Sequence, residues 1–183
     1  RDTIQQTLNR LHDQHKKNET PYTILLIDLD RFKLINDSYG HSVGDTLLQH
    51  IASHMQQQVT QKELIGRWGG EEFLCILPQT DLQTGLKTAE QIHASIAGFS
   101  ITSRQREIFT TCSIGVASYP HDGKSVSDIL RTADAALYEA KRAGRNRVAS
   151  SLENRGSFLS IATRLENALQ ENRITPAYQP IVD

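Results

Sequence analysis

Two apolar runs, Leu64-Ile65-Gly66-Arg67 and Phe73-Leu74-Cys75-Ile76-Leu77, flank the segment Trp68-Gly69-Gly70-Glu71-Glu72, and this pattern constrains the fold more than any other. The runs are too short for helices, and a Gly-Gly pair between them is a hairpin signal because glycine enters positive φ without steric cost. A further strand is expected at Tyr22 to Asp28, whose largely apolar composition suits burial on both faces. Helical spacing surrounds these strands. Ile4, Leu8 and Leu11 mark a first helix, Phe32 to Ser38 a short one closed at Gly40, and Asp45 onward a longer one carrying Leu47, Leu48, Ile51 and Met55 on one side. Leu82, Leu86, Ala89, Ile92 and Ile96 mark another helix, Phe109 to Ser118 a single strand, and Ser127 to Ala143 a helix stopped by Gly144. The order αβααββαβα with one tight hairpin predicts an α/β fold, a mixed central sheet flanked by helices, rather than a helical bundle.

The 183 residues suffice for one domain with an extension, and 20 basic against 21 acidic side chains leave a net charge of -1. No broad attraction to nucleic acid follows from that balance, so phosphate binding has to be local. The apolar run Ile24 to Ile27 is too short to cross a bilayer, and the N-terminal segment lacks the profile of a signal peptide. Cys75 and Cys112, each in an apolar stretch, are expected as buried free thiols of a reducing compartment, which places this domain in the cytoplasm. Ser150 to Ser157 is polar and contains Gly156, and Phe158, Ile161, Leu165 and Leu169 then restart helical spacing. The expected division is a domain over residues 1–149, a linker over 150–157 and the start of a second domain over 158–183. The chain opens without Met inside a helical pattern and ends as a strand begins, so it is expected to be an excerpt, with sensory parts or a membrane anchor of the full-length protein outside it.

Asp28 and Asp30 stand where the first strand runs out, a position from which carboxylates can face a ligand at the sheet edge. Asp30 has a plain alternative as N-cap of the following helix. Asp28 follows an apolar strand, where a carboxylate needs a cation or hydrogen-bond donors. Glu71 and Glu72 follow a turn without side chains, so a large anionic group has access to its backbone beside them; alone, such a pair is more often solvated surface. In a regular strand they would point to opposite faces, so one shared site requires a distorted turn or separate roles. With Asp28 they form a hard-oxygen set suited to magnesium and nucleotide phosphates. Lys141 and Arg145 lie seven and eleven residues after Asp134, with Tyr138 between. They either complement the helix C-terminus or supply the basic partners a triphosphate needs. Gly123-Lys124-Ser125 echoes the end of a P-loop, but Ser118 occupies the position of its first glycine. His50 and His54 are spaced i, i+4 without the further ligands of a zinc site.

At these residues the chain resembles the GGDEF family of diguanylate cyclases. Gly69-Gly70-Glu71-Glu72-Phe73 is similar to its signature in the GGEEF form. Asp28-Leu29-Asp30-Arg31-Phe32-Lys33, Asn36-Asp37, Tyr39-Gly40-His41, Gly44-Asp45, Ala133-Asp134, Ala136-Leu137-Tyr138, Ala140-Lys141 and Gly144-Arg145-Asn146 follow in register. The resemblance implies a palm-like, ferredoxin-like βααββαβ nucleotidyl cyclase core that condenses two GTP into cyclic di-GMP. Asp28, the Leu29 carbonyl and Glu71 would hold magnesium, with manganese as a substitute, and Glu72 would assist. Asn36 and Asp45 would read guanine, Gly69 and Gly70 would admit the triphosphate, and Lys141 and Arg145 would bind its terminal phosphates. Phe32 and Lys33 would line the same pocket. Catalysis would require a transient homodimer, each half-site holding one GTP. Two departures stand out. Thr60 and Glu63 occupy the positions of the family's Arg-x-x-Asp product-inhibition site, and Gln5-Gln6 replaces its usual Thr-Gly. Residues 158–183 resemble the entrance of EAL phosphodiesterase domains, with Tyr178-Gln179-Pro180-Ile181, implying a fused EAL domain in the full protein. The runner-up reading is a catalytically inactive GTP-binding module that regulates that domain.

Overall fold

Tyr22–Leu29 (β1) is buried along all eight residues, which fixes it as an interior strand. In the computed structural model, which describes residues 2–58, 64–103 and 106–151, it lies at the centre of a five-stranded sheet. Glu72–Pro78 (β3) and Cys112–Tyr119 (β6) pair with it antiparallel on either side. Ile65–Arg67 (β2) closes one edge against β3, and Arg147–Ser150 (β7) runs parallel to β6 at the other. The sheet is therefore mixed, as the element order predicts.

Alternation along β1 divides the core. Leu25, Ile27 and Leu29 pack with Phe32 and Ile35 of Phe32–Tyr39 (α2), Leu47, Ile51 and Met55 of His41–Gln58 (α3), and Ala89 and Ile92 of Leu82–Ala97 (α4). Ile24 and Leu26 pack with Ile4, Leu8 and Leu11 of Asp2–Asn18 (α1) and Ile129, Ala133 and Leu137 of Val126–Arg142 (α5). Burying the leucine, isoleucine, phenylalanine and methionine side chains among these contributes roughly 1.5–3 kcal/mol each. Two caps set the helix entries: Asp81 accepts from the Thr84 N–H at 2.8 Å, and Ser125 from the Asp128 N–H at 3.2 Å. Ser125 is thus a helix cap, and the P-loop echo has no structural counterpart.

Several expectations need correction. Phe109 to Ser118 is not one strand: Arg106–Phe109 (β5) pairs with Ser100–Ser103 (β4) in a separate two-stranded sheet, and the chain enters β6 only at Cys112. The break at Thr110-Thr111 frees the Thr111 carbonyl to accept from the Asp30 N–H at 2.8 Å. Strand β7 includes Ser150, the first residue assigned to the linker, and α3 begins at His41 rather than Asp45. A four-residue parallel strand offers too little periodicity to be seen in sequence. The chain divides into compact units at 151/152. Residues 152–183, with the expected EAL segment, and Thr60 and Glu63 lie outside the described residues. Cys75 and Cys112 are buried free thiols; burial pushes both up, Cys75 to about 12. Among the described residues no helix is long and apolar enough to cross a membrane. His50 and His54 lie against the Phe99 ring, with centroids 6.2 and 5.1 Å away.

A pH-sensitive contact joins α1 to the sheet. His12 is buried, its Nδ1 2.9 Å from the Tyr22 hydroxyl and its ring edge-on to Tyr22 and Tyr119. Burial holds its pKa below 6.5; Asp13 opposes this, and Lys16 and His15 add to it. The unfolded chain therefore binds more protons just below pH 6.5, so stability is level above that pH and falls as acidification proceeds toward the folded value. Melting at pH 7.5 and 5.5 is expected to show a larger acid-induced drop in the parent than in His12→Gln.

Candidate nucleotide and metal site

Antiparallel register sets Asp28 of β1 directly opposite Glu72 of β3, so both side chains leave the sheet on one face. Glu71 lies in the turn just before the strand, where its carbonyl accepts from the Leu29 N–H at 3.3 Å. Strict strand alternation therefore does not govern Glu71. On the same face Lys141, in the last turn of α5, places Nζ 2.7 Å from Asp28 Oδ2. Burial raises the Asp28 pKa most; its hydrogen bond and attraction to Lys141 oppose this, and Glu71 and Glu72 raise it further. Glu71 and Glu72 thus lie near enough for their charges to act on Asp28 at the end of β1.

The turn between β2 and β3 is held from within. Trp68 and Gly69 both donate to the Glu72 carbonyl, at 2.8 and 3.2 Å. The Arg67 side chain clasps the other side, Nε donating to the Gly69 and Gly70 carbonyls at 3.1 and 2.9 Å and Nη2 to Gly70 at 2.5 Å. Neither glycine has positive φ, so the reason given for the hairpin is wrong although the hairpin is present. A Cβ on Gly69 would stand 2.5 Å from Glu72 Oε2, the end of a flexible side chain that would have to shift to admit it. A Cβ on Gly70 would meet nothing within 4 Å, leaving that side of the turn open.

Phe32 is buried, and its ring edge and the Asn36 amide close on Gly44, where any Cβ would collide with Asn36 Oδ1. That oxygen is the one buried side-chain polar atom lacking a hydrogen-bond partner among the described residues. An orphaned acceptor costs roughly 1–3 kcal/mol, a cost that a ligand N–H would remove. Asp45, exposed at the next position, lines a cleft of 440 Å³ with Leu48, Arg67 and Phe73. Lys33 is exposed on the first turn of α2. Arg145 is exposed at φ 66° and lines a separate 400 Å³ cleft with Arg31, Thr111 and Asp30.

Asp30 does not cap α2, which starts on Arg31 at φ 55° without a side-chain cap. Its carboxyl is drawn instead to Thr111, Ser113 and Asn146. The Arg67 clasp and the Asp30 contacts join segments distant in sequence or wrap a turn, and no spacing rule reveals them. Among the described residues no group of three or more His, Cys, Asp or Glu could hold a metal unaided. Asp28, Glu71 and Glu72 offer hard oxygens, the donor class suited to a divalent cation that takes one or two carboxylates and completes its shell with substrate phosphates and water.

Residues 1–147 match the family model described as "Diguanylate cyclase, GGDEF domain". The chain is 47% identical over 136 residues to diguanylate cyclase DgcM of Escherichia coli K12, covering 74% of this chain and 32% of that protein. It is 33% identical over 179 residues to the bifunctional diguanylate cyclase/cyclic di-GMP phosphodiesterase MucR of Pseudomonas aeruginosa, covering 96% of this chain and 26% of that protein. The fold superposes on the active GGEEF domain of a diguanylate cyclase from Vibrio cholerae with a TM-score of 0.75 at 35% identity, covering 81% of this chain and 94% of that one.

Proposed function

The chain belongs to the GGDEF family of diguanylate cyclase domains, and from that premise we propose that it condenses two GTP into cyclic di-GMP, releasing two pyrophosphates. The observation that carries this reading is the register pairing of Asp28 with Glu72, with Lys141 2.7 Å from Asp28 on the same face.

Asp28, the Leu29 carbonyl and Glu71 would hold magnesium, or manganese in its place, with Glu72 assisting. The bound ion supplies charge neutralisation on the phosphates and acidifies the attacking hydroxyl. The chain's own groups do the positioning. Lys141, paired with Asp28 here, and Arg145 would bind the terminal phosphates. Gly69 and Gly70 let the triphosphate approach the turn backbone, and Phe32 and Lys33 border it. Asn36 Oδ1 and the Asp45 carboxylate are acceptors suited to the N–H groups of guanine's Watson–Crick edge. One domain holds one nucleotide, so two must face each other in a transient homodimer. Each 3'-oxygen then bonds to the other's α-phosphorus as the α–β bridging bond breaks, and in-line geometry supplies most of the acceleration.

Residues 158–183 are proposed as the entrance of a fused EAL domain, a reading favoured by the alignment with the bifunctional relative through nearly the whole chain. Incubation with GTP and magnesium, followed by chromatography, is expected to give two pyrophosphates per cyclic di-GMP and none in EDTA. GTP binding without product, even with dimerisation forced, would establish the regulatory module instead. Gly44→Ala is expected to displace the Asn36 amide and weaken GTP binding by about tenfold without a comparable loss of ATP binding, checked by calorimetry.

A further inference from the structure

Asp30 is 7% exposed. Its Oδ1 accepts from the Ser113 hydroxyl at 2.7 Å, and Oδ2 accepts from the Thr111 hydroxyl at 2.7 Å and the Asn146 backbone N–H at 3.0 Å. All three donors are neutral, and together they compensate the burial of the carboxyl group. Two belong to the β6 entry and the third to the turn after α5.

That turn is unusual in conformation. Gly144, Arg145 and Asn146 have φ of 112°, 66° and 49°, three successive residues on the left-handed side. For the two that are not glycine this costs on the order of 1–2 kcal/mol each, and it persists only where the surroundings dictate it. The ties are visible: the Arg145 N–H donates to the Ala140 carbonyl at 3.0 Å, the Asn146 N–H to Asp30, and Asn146 Oδ1 meets His93 Nε2 at 2.8 Å. Asp30 thereby binds the backbone next to Arg145 to the end of β1, two residues from Asp28, and both Asp30 and Arg145 line the same cleft.

We propose that Asp30 is a positioning residue for nucleotide binding: by holding the Asn146 N–H it fixes the left-handed turn that presents Arg145 to the terminal phosphates. The inference rests on the assignment of Arg145 made above. A residue that merely stabilises the fold would weaken every ligand alike, whereas one acting through Arg145 affects only ligands that reach it.

The test is a double-substitution cycle on the 183-residue chain. Binding of 3'-deoxy-GTP, which cannot cyclise, and of 3'-deoxy-GMP, which lacks the terminal phosphates, is measured with magnesium in the parent, Asp30→Ala, Arg145→Ala and the double variant. Asp30→Ala is expected to weaken the triphosphate by about tenfold, to leave the monophosphate within about twofold, and to add nothing in the Arg145→Ala background. Should Asp30→Ala not fold, Asp30→Ser, whose hydroxyl is one bond short of the Asn146 N–H, enters the same cycle with the same expected pattern. Asp30→Asn retains an acceptor for that N–H and is expected to restore near-parental affinity. Losses that multiply with Arg145→Ala, that fall equally on the monophosphate, or that do not occur would overturn the inference alone. Parental triphosphate affinity in Arg145→Ala would instead remove the terminal-phosphate assignment, and the inference with it.

Discussion

Asp28→Asn is expected to lower cyclic di-GMP formation by at least about a thousandfold while the melting temperature stays within a few degrees of the parent. The side chain keeps its size, so packing at the end of β1 is preserved, but the amide cannot balance a divalent cation or its nucleotide. Stability is little affected because two changes oppose each other. A carboxyl whose pKa burial has raised is removed, which relieves the folded state, and Lys141 loses its partner. The Lys141 side chain is 32% exposed, so water replaces that partner. Turnover and thermal melting on the same preparation check both halves; activity within about tenfold of the parent would remove Asp28 from the reaction.

Gly115→Ala is expected to cost about 3 kcal/mol or more, lowering the melting temperature by roughly 6–12 °C. Gly115 sits mid-strand in β6, between Leu26 of β1 and Ala149 of β7. A Cβ there would collide with the Ala133 carbonyl and stand 2.5 Å from the Leu137 nitrogen, both backbone atoms of α5. Backbone cannot swing aside as a flexible side chain does, so α5 has to lift from the sheet. Because α5 carries Lys141, nucleotide binding is expected to fall with stability. Differential scanning calorimetry checks the first effect and titration with nucleotide the second; an unchanged melting temperature would mean that α5 does not pack this closely on β6.

How far the sequence disclosed this architecture depends on the range of the signals. Strand β1 and the helices were legible because uninterrupted apolar runs and 3.6-residue spacing are local properties. The break at Thr110-Thr111 and the strand β7 were not, because each exists through a partner far away in the chain: the Asp30 N–H for one, β6 for the other. The site shows the same division. Asp28 is identifiable as a carboxylate at the end of an apolar strand, whereas Glu71 and Glu72 read alone as solvated surface and gain meaning only beside it; register brings Asp28 and Glu72 opposite each other. The N-cap alternative for Asp30 fails because a capping rule considers only the next few residues, whereas its hydroxyl and amide donors lie 81 to 116 positions away. At the hairpin the Gly-Gly pair marks the turn, yet neither glycine has positive φ; a Cβ on Gly69 would displace the Glu72 carboxylate, and one on Gly70 would meet nothing.

The central claim is that each chain carries half of a reaction centre. The most direct measurement is the specific rate of cyclic di-GMP formation from GTP and magnesium across a wide range of protein concentration. A transient homodimer predicts a specific rate that rises with concentration and levels off once pairing is complete. Product formed at a constant specific rate down to concentrations where only monomer is present would contradict it.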